Sequence, residues 1–243
     1  MKQIHVSETT QKELVKLLAR HRTFKAFSRC KECSFKFVRL IDLRICPYCN
    51  INYVYAVFAK DKKGVDRPVV RPDLDHFLDH ANNIKTRMIW DNLVPACQQC
   101  NSRLKHTKSF TRRTHLHPYY DDFDAIMKAV LIIKATSFSK NDSIDIEFEP
   151  HSKTTTCGNK KAERNITDFK LRERYKYHRE EALSIVHRMQ FYHAQKRGEL
   201  AKLLGYRGEL WSAIFPETDC EINQTSLGKL KRDIIEQLRT AMP

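Results

Sequence analysis

The chain has no long apolar run, no internal repeat and no low-complexity linker. Its longest apolar stretch, AIMKAVLII (125–133), contains Lys128 and falls well short of the ~20 residues that a membrane-spanning helix needs. The first residues, MKQIHVSETT, lack the apolar segment of a secretory signal. From these absences we expect a cytoplasmic protein with no membrane partner.

Acidic residues are also scarce, because 29 Asp+Glu face 44 Lys+Arg and give a net charge of +15. Residues 1–120 hold 23 Lys+Arg against 10 Asp+Glu, whereas residues 121–159 carry more acids than bases. A basic surface favours a polyanionic partner such as nucleic acid. The uneven distribution indicates that such a partner binds to the first half of the chain.

Six of the eight cysteines form three pairs with the spacing Cys-x2-Cys, at Cys30/Cys33, Cys46/Cys49 and Cys97/Cys100. In a cytosolic protein this spacing favours metal binding over disulfides, and four thiolates suit tetrahedral zinc. Two groupings are open. The favoured one joins the second and third pairs and clamps a hairpin to the helix that follows it. The alternative is a zinc ribbon made by the first and second pairs.

Alternation of apolar and polar residues predicts a mixed α+β fold. A capping box, Thr10-x-x-Glu13, predicts a helix over 10–22. Residues 53–77 are predicted to form a hairpin around the turn DKKG (61–64), and 129–138 with 143–149 a second one. Helical spacing predicts helices over 167–204, ending at Gly205, and over 226–240. The run RERYKYHREE (172–181) is interpreted as the outer face of such a helix, because acids are interleaved.

A small set of polar residues between the hairpin and the third cysteine pair predicts a hydrolytic site. His76 is the candidate general base, since a neutral imidazole can take a proton from water, and His80 competes for that role. Asp75 and Asn101 offer the oxygen ligands that hard divalent ions prefer. Neighbours on a strand point to opposite faces, so Asp75 and His76 can serve one centre only if the strand ends there.

The motifs CPYCN, DLDHF, NLVPACQQCN and HPYYDDF occur in this order between residues 46 and 123. Over roughly residues 44–110 the chain resembles the HNH, or ββα-metal, nucleases. The order and context of these four motifs also resemble those in the nuclease subunits of Septu-type bacterial anti-phage systems, including systems attached to retrons.

The resemblance implies an α+β fold in which a small ββα-metal core with structural zinc is embedded in N-terminal and C-terminal helices. It divides the chain into four segments: an N-terminal helix with the first cysteine pair, the nuclease core, a hairpin segment and a helical region that docks a partner. These are residues 1–43, 44–124, 125–160 and 161–243.

The resemblance also implies residue roles. His76 activates water, and Asp75 with Asn101 holds a catalytic Mg²⁺ or Mn²⁺. Asn92 orders the loop behind the base without touching substrate. Lys105, expected on the same helix face as Asn101, contacts phosphate, with Arg103 as a weaker candidate; a solvated surface charge is the alternative reading of both.

In many HNH nucleases a structural zinc ion braces this site. By resemblance, its ligands here are the favoured grouping of cysteines, Cys46, Cys49, Cys97 and Cys100. The expected activity is endonucleolytic hydrolysis of DNA, with RNA, in particular tRNA, as the alternative substrate. A non-catalytic, zinc-dependent nucleic-acid-binding subunit is the alternative from another class. The implied partners are an ABC/SMC-like ATPase and, in retron systems, a reverse transcriptase with its nucleic acid.

Overall fold

A computed structural model describes residues 1–79, 84–135, 143–205, 210–219 and 221–241. In these ranges helices combine with three antiparallel sheets of two strands each, which confirms the α+β class. The helices are α1 Glu8–Ala19, α2 Phe24–Arg29, α3 Lys31–Ile41, α4 Phe123–Ile126, α5 Thr156–Asp168, α6 Leu171–Tyr175, α7 Arg179–Phe191, α8 Ala194–Leu203, α9 Trp211–Ile214 and α10 Gly228–Ala241. The strands are β1 Val57–Lys60, β2 Asp66–Val70, β3 Asp73–His76, β4 Leu93–Ala96, β5 Met127–Ile133 and β6 Ile144–Pro150.

The first helix begins earlier than its sequence predicts. Ser7, and not Thr10, is the N-cap, because its hydroxyl accepts a hydrogen bond from the amide of Thr10 at 3.2 Å. The helix ends at Ala19, and Arg20 is its C-cap. Leu14, Leu17 and Leu18 form the apolar face of this helix and are buried in the core.

The second cysteine pair lies in a tight turn closed by a bridge between Ile45 and Tyr53. Inside it, the Cys46 amide donates to the Asn52 carbonyl at 2.8 Å, and Asn50 has a positive φ of 55°. The start of α10 and the residue before it contact this turn. The amide of Leu227 donates to the carbonyl of Asn50 at 2.7 Å, and the amide of Lys229 donates to the side-chain oxygen of Asn50 at 2.9 Å. The C-terminal helix is therefore part of the packing around the cysteines.

The hairpin predicted over 53–77 is divided into two pieces. β1 pairs with β2, which ends at Val70, whereas β3 pairs with β4 in the register Asp75–Val94 and His76–Leu93. The break falls at Arg71-Pro72, since proline has no amide to donate and restricts the residue before it. Two strands followed by a helical segment, a π-helix over Gln99–Lys105, thus bring Asp75 and His76 beside the third cysteine pair.

The second hairpin is confirmed as β5 paired with β6, whereas its predicted turn lies outside the described residues. α10 packs on β5, where Asp233 accepts the amide of Ala129 and Gln237 accepts that of Leu131, both at 2.8 Å. The segment predicted as helical over 167–204 contains α6, α7 and α8, whereas α5 begins earlier, at Thr156, and was not predicted there. Gly205 follows α8 with a φ of 62°, as expected for a helix stop.

One continuous apolar core runs from α1 through the cysteine turn and the sheets to α10. It includes a row of apolar residues on α6 and α7, at Leu171, Tyr175, Ala182, Ile185 and Met189. No helix within the described ranges combines the length and apolar character required to cross a bilayer.

Candidate functional site

The second and third cysteine pairs converge in the core. The four sulfur atoms of Cys46, Cys49, Cys97 and Cys100 lie within 4.8 Å of one another, and all four residues are buried. The sulfurs of Cys49 and Cys97 are 4.0 Å apart. Tetrahedral zinc with Zn–S bonds of about 2.3 Å separates its sulfurs by about 3.8 Å. The donor set and its spacing therefore fit a structural zinc ion.

Donors from three parts of the chain surround these sulfurs. The amide of Cys97 faces Cys46 sulfur at 3.5 Å, Asn52 donates to Cys97 sulfur at 3.3 Å, and Arg174 donates to Cys100 sulfur at 3.3 Å. Burial alone would lower the pKa of Arg174, but the charge of Cys49 and Cys100 raises it above its usual value. Four thiolates and one zinc ion carry two excess negative charges, and the guanidinium offsets one of them.

Arg174 is a functional residue that the sequence did not reveal. It lies in the run that was interpreted as the outer face of a helix, and its neighbour Arg172 does pair with Glu147 and Glu163. Arg174 instead turns inward to Gln99 and Cys100. Nothing in the local charge pattern distinguishes the two arginines, because only the fold brings α6 against the third cysteine pair.

The ribbon alternative for the cysteines is wrong. The first pair does not join the second; Cys30 and Cys33 instead meet His21, with ligand atoms within 4.8 Å of one another. α3 intervenes between the first and second pairs, so its N-terminus and the turn at Cys46 are held apart by a helix of 11 residues. The favoured grouping of the second and third pairs is the one that the fold brings together.

Three of the four residues predicted for catalysis line one cavity of about 210 Å³, namely Asp75, His76 and Asn101. β3 ends at His76, which meets the condition that a strand end must separate these neighbours. Lys105 lines the same cavity. Sequence reasoning missed its other members, which are Phe24, Leu74, Asp79, His106 and Lys108.

Asp75 is buried and both of its oxygens accept hydrogen bonds. The hydroxyl of Tyr48 donates to Oδ2 at 2.6 Å, and the ammonium of Lys105 donates to Oδ1 at 2.8 Å. Burial, followed by the charge of Asp75, raises the pKa of Tyr48 well above its usual range. Tyr48 therefore stays a donor at every physiological pH. Tyr48 belongs to the CPYC motif, so the turn that carries Cys46 and Cys49 also contributes a residue to this site.

Lys105 lies elsewhere than predicted. Its side chain is 3% exposed, and its ammonium reaches the carbonyl of His76 at 2.5 Å as well as Asp75. It is therefore turned away from a phosphate at the surface. The prediction assumed α-helical spacing from Asn101, but this segment is a π-helix, in which the His106 amide donates to the Asn101 carbonyl five residues back. The wider turn rotates Lys105 inward, while Arg103 stays exposed.

His76 is held from two sides. Its Nε2 lies 3.1 Å from the carbonyl oxygen of Arg87, which can only accept, so Nε2 carries the proton. The ring of Phe24 packs edge-on against the imidazole with centroids 4.3 Å apart. In this tautomer Nδ1 is the nitrogen that can accept a proton. The competing His80 lies outside the described residues.

Asn101 reaches across to β3 from the π-helix. Its side-chain amide donates to Asp73 at 3.1 Å, and the hydroxyl of Ser102 donates to the same oxygen at 3.1 Å. With its nitrogen directed to Asp73, the amide oxygen of Asn101 remains the acceptor that a cation would use. Asp73 thus orients the residue that was predicted to bind the ion.

Asn92 lies outside the cavity and holds the loop behind the cavity in place through hydrogen bonds. Its oxygen accepts the amide of Leu78 at 2.7 Å, and its nitrogen donates to the carbonyl of Thr86 at 3.1 Å. The backbone of Asn92 also accepts the amide of Phe77 at 3.0 Å. Asn92 therefore joins the end of β3 to the segment that carries Arg87. These contacts orient His76 without reaching the cavity.

Oxygen donors of the type that hard divalent ions prefer line the cavity. The carboxylates of Asp75 and Asp79 and the amide oxygen of Asn101 are oxygen ligands of the kind that Mg²⁺ and Mn²⁺ bind together with water. A carboxylate has about four lone-pair sites, so Asp75 keeps acceptor capacity beside Tyr48 and Lys105. The residues fit such an ion in kind, although the ammonium of Lys105 competes for the same carboxylate.

Comparison with protein-family models, with curated proteins and with solved structures gave no significant match to this chain.

Proposed function

We propose that the protein is a metal-dependent endonuclease of the HNH type that hydrolyses phosphodiester bonds in nucleic acid. One observation carries the proposal: the imidazole of His76, the carboxylates of Asp75 and Asp79, and the amide oxygen of Asn101, which is distant from them in sequence, line one cavity next to a cysteine cluster suited to zinc. Hydrolysis of a phosphodiester requires a base for water and a counter-charge for the phosphate. The cavity offers candidates for both.

In this mechanism His76 is the catalytic base. Water in the cavity gives its proton to Nδ1 while Nε2 donates to the carbonyl of Arg87, so the imidazolium formed during attack is stabilised by an oxygen already in place. Asn92 holds the loop that supplies this carbonyl. Phe24 covers one side of the ring and limits its rotation.

Asp75 and Asn101 would hold the divalent ion, with Asp79 as a further oxygen donor in the cavity. Such an ion supplies positive charge to the phosphate and to the leaving oxygen. Tyr48 and Lys105 fix the carboxylate of Asp75, and Asp73 fixes the amide of Asn101. The structural zinc of Cys46, Cys49, Cys97 and Cys100 would hold the π-helix against the turn that carries Tyr48.

DNA is the proposed substrate, with RNA as the alternative that the assay must separate. Arg103, His106 and Lys108 are exposed along and after the π-helix beside the cavity, where they can meet a phosphate backbone. The excess of basic residues in the first half of the chain also favours binding of a nucleic-acid backbone. Arg103 takes the phosphate role in this proposal, because Lys105 is committed to Asp75.

The biological setting is proposed from sequence resemblance to Septu-type anti-phage systems, in which the nuclease acts with an ABC/SMC-like ATPase. A helix of the C-terminal region supports a docking role, because α8 has no buried residue and its last residue, Leu203, is 82% exposed. Co-elution of the purified protein with such an ATPase on size exclusion tests this. Separate elution, with and without ATP, would argue against it.

A second candidate is a zinc-dependent nucleic-acid-binding subunit without hydrolytic activity. The specific observation in its favour is the buried ion pair of Asp75 with Lys105, which satisfies the carboxylate without any metal ion. Under this candidate the cavity is a binding site for phosphate, and divalent ions do not change the outcome.

The deciding experiment incubates the protein, alone and with its ATPase, with plasmid DNA, single-stranded DNA and total tRNA in Mg²⁺ or Mn²⁺. We expect cleavage that His76→Ala abolishes while zinc content and the circular dichroism spectrum stay unchanged. The matched control is His5→Ala, since His5 is exposed on the N-terminal segment. Undiminished cutting by the His76 variant refutes the catalytic role, and ion-independent binding without cutting supports the second candidate.

A further inference from the structure

A second group of possible metal ligands lies outside the proposed active site. Nε2 or Nδ1 of His21 and the sulfurs of Cys30 and Cys33 are within 4.8 Å of one another. His21 follows α1, while Cys30 ends α2 and caps α3. Three elements that are separate in sequence therefore contribute to one small cluster.

The side chains of this group are directed at one another. The sulfur of Cys30 accepts the amide of Cys33 at 3.5 Å, at the N-terminus of an 11-residue helix. Nε2 of His21 is buried and has no hydrogen-bond partner within the described residues. A buried ring nitrogen without a partner is costly unless a ligand engages it.

We propose that His21, Cys30 and Cys33 form a second zinc site, independent of the cluster of four cysteines. Two thiolates and one imidazole are ligands that zinc prefers, whereas Mg²⁺ and Mn²⁺ take oxygen. The same described ranges offer no fourth His, Cys, Asp or Glu ligand within this group. His21 and Cys30 are only half-buried, so water completes the tetrahedron. The zinc is therefore reached by solvent more readily than the buried one.

The site anchors the helix that borders the active-site cavity. α2 lies between His21 and Cys30, and its Phe24 packs on the ring of His76. The guanidinium of Arg71, just before β3, donates to the carbonyl and hydroxyl of Ser28 in α2 and to the hydroxyl of Ser34 in α3. α2, α3 and β3 are thus linked. Fixing both ends of α2 with one ion would hold Phe24 against His76.

The test counts zinc by mass spectrometry in protein purified without added metal or chelator. We expect two zinc ions per wild-type chain, one for each ligand group, and one in His21→Gln and in Cys30→Ser. The matched controls His5→Gln and Cys157→Ser change exposed residues and keep both ions. One zinc in the wild type, or unchanged zinc in the two variants, overturns the proposal.

A second measurement needs no variant and remains decisive if the substitutions impair folding. Thiols of the wild-type protein are alkylated before and after brief chelation, and each cysteine peptide is quantified. We expect the half-buried Cys30 to be protected at first and to react after chelation, before the buried Cys97 does. The exposed Cys157 reacts from the start as an internal standard. Equal reactivity of Cys30 at both times, or a disulfide between Cys30 and Cys33, overturns the site.

The zinc count does not depend on the proposed nuclease activity, whereas the influence on His76 rests on it. In an active enzyme, His21→Gln lowers the rate of cleavage, because His76 loses its support from Phe24. An unchanged rate would restrict the second zinc to a role in stability. Absence of cleavage in the wild type refutes the nuclease proposal alone and leaves the zinc count valid.

Discussion

Replacement of Lys105 by methionine tests the centre of the proposed site. The ammonium of Lys105 lies 2.8 Å from Oδ1 of Asp75 and 2.5 Å from the carbonyl of His76. The side chains of the pair are 3% and 4% exposed. Methionine keeps most of the length and apolar volume of lysine but carries no charge. The variant therefore leaves the buried carboxylate with the hydroxyl of Tyr48 as its hydrogen-bond donor.

The expected cost is large because the charge of Asp75 stays behind. Breaking a buried ion pair by removing one partner costs about 3–5 kcal/mol. For a chain of this size each kcal/mol lowers the melting temperature by roughly 2–4 °C, so we expect a loss of about 6–20 °C. The matched control is Lys108→Met, whose partner Asp168 is close at 2.6 Å but whose side chain is 45% exposed. A surface pair contributes about 0–1 kcal/mol, and the control should melt within about 4 °C of the wild type.

Melting is followed by circular dichroism at constant zinc content. Lys105→Met combined with Asp75→Asn should recover part of the loss, because no unpaired buried charge remains. A Lys105 variant that melts together with the Lys108 control would refute the buried ion pair. The same variants probe the divalent ion. If Asp75 is a metal ligand, Lys105→Met binds Mn²⁺ more tightly than the wild type, and equal affinity would show that the ion binds elsewhere.

Two further predictions concern the surroundings of the site. Asn92→Ala should cost about 1 kcal/mol, because it leaves the half-buried amide of Leu78 without its acceptor; an unfolding midpoint equal to that of wild type would contradict the role of Asn92 in holding the loop. His117 makes stability depend on pH: burial, followed by the charge of Arg112, lowers its pKa from 6.5 to about 3. The unfolded chain binds the proton first, so this contribution is complete above pH 6.5 and declines as the pH falls toward 3. His117→Phe should flatten the melting temperature over that range, and a curve parallel to wild type would exclude His117 as the cause.

The sequence was most informative where a motif and its local structure coincide. Asp75 and His76 were expected at a strand end, and Cys46, Cys49, Cys97 and Cys100 as one cluster, and both arrangements are present. The spacing of the two cysteine pairs and the strand patterns around them contain this information. The bounds of α1, β6 and α10 were also predicted within a few residues, because apolar periodicity depends on neighbouring positions alone, whereas α2, α3 and most of α5 were not predicted.

Errors arose where a contact between distant segments overrides a local rule. α-Helical spacing placed Lys105 on the face of Asn101, but the π-helix turns it toward Asp75. The hairpin over 53–77 was predicted as one unit, yet Arg71 is held by Ser28 and Ser34, and β3 takes β4 as its partner. Pro72 was a local signal for the break in the hairpin, whereas the partners of β3 and of Lys105 lie far from them in the chain.

The amino-acid sequence by itself determined which chemical groups are available: three cysteine pairs, an imidazole beside a carboxylate, and an excess of positive charge in the first half. Only the tertiary structure decided which of them meet. It paired Cys30 and Cys33 with His21, placed Arg174 on the sulfur of Cys100, and joined Lys105 to Asp75. The physical reason is that a side chain's charge and ligand type belong to the residue, whereas its partner depends on burial and on packing between elements far apart in the chain.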